Sequence, residues 1–180
     1  MLGTPVVLLN GARQTGKTTL AQAIAAGSGA QYFTLDDSAT LSLAAGDPAG
    51  FMRNLTGPVV LDEIQKAPGL FPAIKLAVDK DRQPGRFLLT GSANVMTLPR
   101  LSESLAGRME VIPLFPFSAG ELAGVAEGFV LRLFAGTIAK SKPSSARGNI
   151  AARLARGGYP EATQRQDDDG GALVDDRDRL

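Results

Sequence analysis

The stretch of the sequence best suited to chemistry is a glycine-rich loop that carries a single lysine. Residues 11–18, GARQTGKT, match the spacing G-x-x-x-x-G-K-[ST] in full. Glycines at both ends allow a tight turn whose backbone N–H groups converge on a phosphate. Lys17 supplies a mobile charge for β- and γ-phosphates, and Thr18 a hydroxyl that suits Mg²⁺. The predicted cofactor-binding residues are Gly11, Ala12, Arg13, Gln14, Thr15, Gly16, Lys17, Thr18 and Thr19.

The alternative for this loop is a glycine turn with an exposed lysine. The context argues against it, because an apolar run, PVVLLN, precedes the loop and an alanine-rich helical pattern follows it. A strand before and a helix after are the setting that the motif requires. The helix would also point the positive end of its dipole at the bound anion. The loop therefore predicts binding of a nucleotide, ATP, through its phosphates.

A second group of chemical residues is the acid pair Asp62 and Glu63, at the end of the apolar run in PVVLDEIQ. Carboxylates at the carboxyl end of a strand lie in the crevice where α/β sheets bind ligands. We predict that Asp62 holds Mg²⁺ together with Thr18, and that Glu63 accepts a proton from an attacking water. A helix cap at a strand end is the alternative, but the glycine loop beside the pair favours the metal site.

Ser92 and Arg108 are further catalytic candidates, each with a structural alternative. Ser92 lies in LLTGSAN, where it or Asn94 would reach the γ-phosphate if this strand lies beside the first one. A plain strand-to-helix turn explains the same residues equally well. Arg108, in SLAGRME, suits a phosphate whose charge is redistributing. A cation at a helix C-terminus is stabilising by itself, however, and taken alone the residue favours this simpler role.

Composition excludes several other classes of chemistry. The 180 residues include no cysteine and no histidine, which rules out thiol nucleophiles, zinc–thiolate sites and histidine bases. Lysine and arginine number 19 against 18 acids, so the net charge of +1 does not support a nucleic-acid partner. No run approaches the ~20 apolar residues of a membrane span, and no signal peptide is evident. We expect a cytoplasmic protein with no membrane partner.

Alternating patterns predict an α/β fold with a mainly parallel five-stranded sheet and helices on both faces. Five apolar runs predict strands, at 6–10, 32–36, 59–63, 86–91 and 109–114. Helical patterns lie between them, including one that Asp47 and Pro48 begin and one that Asp36 and Asp37 cap. Helices are also predicted over 69–80, 101–108 and 150–156. We expect a core at 1–120, a short helical extension at 121–163 and a disordered tail at 164–180.

The order of these motifs resembles the prokaryotic AAA-type ATPases that usually carry a C-terminal domain of unknown function. The blocks that carry the resemblance are GARQTGKTTL, YFTLDD, VVLDEIQKAP, LLTGSAN, SLAGRMEVIPLFPFSAGEL and GGYPEA, which cover residues 5–162. The resemblance implies a P-loop NTPase core with a Walker A motif at 11–18 and a Walker B motif at 59–63. It also implies a catalytic role for Glu63, a sensor near Ser92 and an arginine finger at Arg108, which would join subunits of a homo-oligomer.

Two functions from different classes remain at this point. One is an ATPase that hydrolyses ATP with Mg²⁺. The other is a nucleotide-binding switch that turns ATP over slowly without a missing domain or partner. Glu63 favours the enzyme, since a switch could dispense with a base. Members of the family usually continue with a further domain after the GGYPE block, so we expect a truncated product or an excised domain.

Overall fold

A computed structural model of the chain describes residues 3–92, 95, 104–126, 128–136 and 150–168. The chain divides into two compact units, Met1–Phe115 and Pro116–Leu180. The first unit contains a β-sheet with its covering helices, and the described part of the second is helical. Each unit is therefore described by itself.

The sheet of the first unit is five-stranded and parallel throughout. Its strands are β1 (Val6–Gly11), β2 (Gln31–Thr34), β3 (Val59–Asp62), β4 (Phe87–Ser92) and β5 (Met109–Pro113). They lie in the order β2-β3-β4-β1-β5. In the parallel register Leu8 of β1 pairs with Leu89 on one side and Val111 on the other. The predicted α/β fold is confirmed, and β4 lies between the strands that lead to the two predicted motifs.

In this unit four helices that are described over their whole length cover the sheet, and ordinary capping chemistry explains the start of two of them. They are α1 (Lys17–Ser28), α2 (Ser38–Gly46), α3 (Pro48–Arg53) and α4 (Leu70–Lys80), with a 3₁₀ turn at Ile64–Lys66. Asp47 caps α3 as predicted, accepting a hydrogen bond from the Gly50 N–H at 2.8 Å. Asp37 caps α2 through the Thr40 N–H. Asp36, predicted to share that role, instead forms an ion pair with Lys66.

Helices lie on both faces of the sheet, as the sequence predicted. On one face Ala21 and Ala25 of α1 pack against Val7, Leu9, Val60 and Leu88. On the other face α4 contributes Phe71 and Ile74 to a larger cluster built on alternate strand residues. Each large side chain buried in this way contributes about 1.5–3 kcal/mol to folding.

The edge strands are less buried than their apolar sequences predicted. All four residues of β2 are half-buried, and Ile112 of β5 is 39% exposed. Each of these strands has a neighbour on one side only. The strands β1, β3 and β4 are the ones buried on both faces.

The second unit contains α5 (Ala119–Leu122), α6 (Phe129–Phe134), α7 (Ile150–Arg156) and α8 (Pro160–Asp168). Ser118 and Glu121 form a capping box at the start of α5. Helix α8 runs across residue 164, where a tail was predicted to begin. The division between units falls five residues before the predicted boundary at 120.

Residues 101–103 of the predicted 101–108 helix are outside the described residues, and 104–105 are helical. Throughout the part described, no helix is long and apolar enough to cross a membrane.

Candidate functional site

The glycine loop joins β1 to α1 at the carboxyl edge of the sheet. Its backbone needs left-handed conformations at two positions, Gln14 with φ 63° and Gly16 with φ 90°. Glycine adopts such angles without steric cost, which explains Gly16 at the residue that precedes the helix. Helix α1 begins immediately afterwards at Lys17, and so its free N–H groups face the loop. The local fold thus places the N-terminus of a helix at this edge, where an anion would be favoured.

Gly11, the last residue of β1, is required by packing. A Cβ atom at this position would collide with the carbonyl oxygen of Leu114 and lie 3.1 Å from Thr15 Oγ1. Leu114 is held there because its N–H donates to the Asn10 carbonyl at 2.6 Å. The chain leaving β5 therefore crosses close to the start of the loop, a contact that the motif alone did not predict.

Lys17 lies across the loop with its side chain buried. Its Nζ donates to the carbonyl oxygen of Ala12 at 2.6 Å, and Thr15 Oγ1 donates to the same oxygen at 3.0 Å. Both side chains are 5% exposed. The Lys17 ammonium is thus bound to a carbonyl of the loop that a phosphate would occupy. A phosphate bound there would compete with this one carbonyl oxygen for the ammonium.

Thr18 and Asp62, the predicted metal ligands, are in direct contact. Thr18 Oγ1 donates to Asp62 Oδ2 at 3.0 Å, with Oδ1 at 3.3 Å, although 44 positions separate the two residues. Asp62 is 1% exposed. A hydroxyl and a carboxylate are the hard oxygen donors that Mg²⁺ prefers. Among the described residues no group of three or more acidic side chains could hold a metal by itself, so phosphate and water oxygens would complete this pair.

Two residues that sequence reasoning missed, Tyr32 and Thr90, also hold Asp62. The Tyr32 hydroxyl donates to Asp62 Oδ2 at 3.0 Å, and Thr90 Oγ1 donates to Oδ1. Burial of Tyr32, followed by its hydrogen bond to Asp62, raises the pKa of this phenol from 10.0 to about 12. The phenol therefore remains a donor at neutral pH. The signal in the sequence was slight: each residue lies on a predicted strand, and the structure shows that both strands are neighbours of β3.

Glu63 is positioned by a strained backbone just past β3. Its φ and ψ are 60° and 44°, a left-handed conformation that costs a residue other than glycine about 1–3 kcal/mol. The Glu63 N–H donates to Thr90 Oγ1 at 2.9 Å, and the Glu63 carboxylate accepts a hydrogen bond from Gln65 Nε2. The left-handed backbone thus interrupts the strand at Glu63, and the hydrogen bond from Gln65 restrains the tip of its side chain.

Ser92 ends β4 opposite Gly11, with which it pairs in the parallel register. It is half-buried at the carboxyl edge beside the glycine loop. This agrees with the expected adjacency of the fourth and first strands. Asn94, the other residue considered for this role, lies outside the described residues.

Arg108 lies at the amino ends of the strands, whereas the loop and the acid pair lie at their carboxyl ends. It immediately precedes β5, and its carbonyl accepts from the Val6 N–H at 3.2 Å, where β1 begins. The length of β1, six residues or about 20 Å, therefore separates it from the loop. Arg108 Nε and Nη2 bind the two oxygens of Asp79 at 2.6 and 3.1 Å. This hydrogen bond is the main cause that lowers the pKa of Asp79 from 3.8.

A parallel sheet with a glycine loop at its carboxyl edge, a buried lysine and a hydroxyl–carboxylate pair defines the nucleotide-binding α/β class. Comparison with known proteins narrows this class. Residues 3–123, which are 121 of the 180, match the family described as AAA domain, and the chain belongs to that family. Membership indicates nucleotide binding and ATPase chemistry in general.

Two curated relatives are similar to part of the chain. Both are uncharacterized proteins, one from Mycobacterium bovis and one from Mycobacterium tuberculosis. Each is 41% identical over 111 residues, which are 61% of this chain and 25% of the relative. The chain therefore spans about a quarter of the length of the curated relatives it matches.

Proposed function

We propose that this chain binds ATP together with Mg²⁺ and hydrolyses it to ADP and phosphate. The observation that carries the proposal is the contact between Thr18 and Asp62 beside the loop that holds Lys17. Asp62 is 44 positions from Thr18 in the sequence, yet the two side chains are in contact. A lysine, a hydroxyl and a carboxylate close together are what a magnesium nucleotide needs. A glycine turn without this function would give no reason for such a convergence.

In this proposal the loop at 11–18 is a Walker A motif and β3 with Glu63 a Walker B motif. The loop N–H groups and the N-terminus of α1 bind phosphate oxygens, and Lys17 neutralises charge on the β- and γ-phosphates. Thr18 and Asp62 would hold Mg²⁺, which would stabilise the charge that develops on the phosphates. Because Tyr32 and Thr90 already orient Asp62, its carboxylate needs little rearrangement to accept the ion.

Glu63 is the proposed general base. Its carboxylate would accept the proton of the attacking water, and the restrained backbone would hold that carboxylate at the carboxyl edge of the sheet. Ser92 is the proposed contact for the γ-phosphate, on the strand beside the loop. Arg108 lies too far from its own loop to serve it, so we propose that it acts on the nucleotide of a neighbouring subunit.

One observation favours the alternative, a switch with slow turnover. Glu63 is bound by Gln65 and Arg108 by Asp79, so both groups must exchange partners before they could act. A neighbouring subunit or a further domain would supply that exchange. The switch and the enzyme share the nucleotide site and differ in the rate of hydrolysis.

The proposal is tested by ATP binding and phosphate release. Calorimetry should show ATP binding that Mg²⁺ strengthens, and Asp62→Asn should remove most of this magnesium dependence. Asp81→Asn, which neutralises an exposed acid at the end of α4, is the matched control. Phosphate release with each of four nucleoside triphosphates distinguishes enzyme from switch. Equal magnesium dependence in the two variants would reject the metal site.

A further inference from the structure

The hydroxyl of Thr90 connects the two acidic residues of the site. It donates to Asp62 Oδ1 and at the same time accepts from the Glu63 N–H at 2.9 Å. Thr90 is 0% exposed, and so its hydroxyl is enclosed by protein. A threonine hydroxyl has one donor and two acceptor positions, so this one group satisfies both neighbours.

We propose that Thr90 is a positioning residue that sets the geometry of both acids through its single hydroxyl. This rests on the proposed function, since it assigns how Asp62 and Glu63 are held for their roles there. Thr90 does not touch substrate in this proposal. It acts through the two residues that do, whereas Ser92, two positions later and half-buried, is the residue of β4 placed to reach a nucleotide.

The effect on Asp62 follows from how its two oxygens are used. Oδ1 is bound by Thr90, and Oδ2 accepts from Thr18 and Tyr32, each at 3.0 Å. With one oxygen fixed at the buried side, rotation of the carboxylate is blocked and Oδ2 stays directed at Thr18. A carboxylate fixed in this way is a better metal ligand than one that must be oriented when the ion arrives.

The effect on Glu63 follows from where the sheet ladder stops. Strands β3 and β4 pair at Val59, Val60 and Leu61, and the next pair in register would be Asp62 with Thr90. There the chain turns into the left-handed conformation of Glu63, and its N–H has left the backbone ladder. The Thr90 hydroxyl replaces the missing carbonyl acceptor and so holds the turn that aims the Glu63 side chain.

The test compares Thr90→Val, which keeps the shape and removes the hydroxyl, with Thr90→Ser, which keeps the hydroxyl. Thr163→Val is the control, because Thr163 is also buried but bonds only locally, through its hydroxyl to the Pro160 carbonyl. All variants are first checked for folding by circular dichroism and thermal unfolding. If Thr90→Val does not fold, Thr90→Ala takes its place at a lower temperature.

For Thr90→Val we expect the Mg²⁺ concentration that half-saturates turnover to rise about 10- to 100-fold, or kcat to fall by the same factor. This is the usual effect of removing a residue that hydrogen-bonds to a metal ligand. ATP binding without Mg²⁺ should stay within about twofold of the parent, since the loop is intact. Thr90→Ser should stay within about threefold in every parameter. A purely structural role would instead lower all activities together with the folded fraction.

Amide hydrogen exchange supplies a readout that needs no nucleotide. The Glu63 N–H should exchange faster in Thr90→Val, by tenfold or more, and at the parental rate in Thr90→Ser and Thr163→Val. The inference would be overturned if Thr90→Val matched Thr163→Val both in the exchange rate of the Glu63 N–H and in the magnesium dependence of turnover. If the parent shows no ATP binding, the proposed function fails, and the exchange result still decides whether Thr90 holds Glu63.

Discussion

At the scale of single residues, Asp62 is the point on which the hydrogen bonds of the site converge. Three hydroxyl groups, from Thr18, Tyr32 and Thr90, donate to a carboxylate that is 1% exposed. A buried charge needs partners of this kind, because removal from water otherwise costs several kcal/mol. The arrangement therefore gives this buried carboxylate three hydroxyl donors beside the loop.

Lys17→Ala should abolish ATP binding or weaken it strongly. Lys17 supplies a buried cation at the loop. Without it, the loop would bind the phosphate oxygens through backbone N–H groups alone. Calorimetric titration of ATP measures the effect. Lys80→Ala, at the end of α4, is the matched control and should bind as the parent does. Equal affinities in the two variants would contradict the assignment of the loop.

Glu63→Gln should lower turnover by about 10²-fold or more while ATP and Mg²⁺ still bind. Glutamine keeps the shape of the side chain but does not accept the proton of the attacking water. Phosphate release and calorimetry on the same preparation separate the two effects. Glu110→Gln, at an exposed position of β5, should behave as the parent. Parental turnover in Glu63→Gln would favour the switch over the enzyme.

Sequence patterns located some of these residues and missed others for a physical reason. Lys17 and Thr18 belong to a local motif, and Asp62 and Glu63 end an apolar run, so their types and spacing are visible along the chain. Thr90 and Tyr32 act through hydrogen bonds to a residue on another strand. Their roles depend on the order of strands in the sheet, which no local pattern contains.

At the scale of elements, the glycine loop is fixed by the segments around it. Strand β1 lies between β4 and β5, and the carbonyl of Leu114, just after β5, packs where a Gly11 side chain would be. The strands and the helices α1, α3 and α4 were predictable from periodicity and capping residues, although α1 runs to Ser28 and the sequence predicted an end at residue 26. Helix α2 follows Asp37, but its own periodicity is weak and only the capping residue indicated it.

Gly11→Ala should destabilise the fold and impair ATP binding. The new methyl group meets a backbone carbonyl that cannot rotate away, and overpacking of this kind costs about 1–3 kcal/mol. Gly27→Ala is the matched control in α1, exposed and with no atom within 4 Å of the added carbon. It should instead raise stability by about 0.5–1 kcal/mol. Thermal unfolding and calorimetry of both variants check the contrast, and equal melting temperatures would contradict it.

At the scale of the whole molecule, Arg108 and Asp79 link α4 to the amino edge of the sheet, far from the loop. Because the pKa of Asp79 is lowered in the folded state, its contribution to stability is present above the ordinary value of 3.8. It is lost as pH falls through the folded-state pKa. Arg108→Ala should therefore lower the melting temperature at pH 7 and have a smaller effect near pH 2. Melting curves across this range measure it, and an equal loss at both pH values would contradict the ion pair.

If Arg108 serves a neighbouring subunit, it must first leave Asp79, and activity must depend on association. Turnover per chain should then rise with protein concentration, and Arg108→Ala should reduce it by about 10³-fold with ATP binding largely spared. Asp79→Asn is a useful second variant, because it keeps Arg108 and removes its ion pair with Asp79. It should lower the concentration at which activity appears.

Mixing two inactive variants gives the sharpest test of this arrangement. Lys17→Ala retains an intact Arg108 but lacks a working loop, and Arg108→Ala retains the loop but lacks the arginine. At an interface between subunits, one chain can supply the arginine to the intact loop of the other, so the mixture should regain part of the parental turnover. An Arg108 that only ties α4 to the sheet predicts activity proportional to concentration and no recovery on mixing. Because the arginine lies at the edge opposite its own loop, recovery would be explained only by contact between chains.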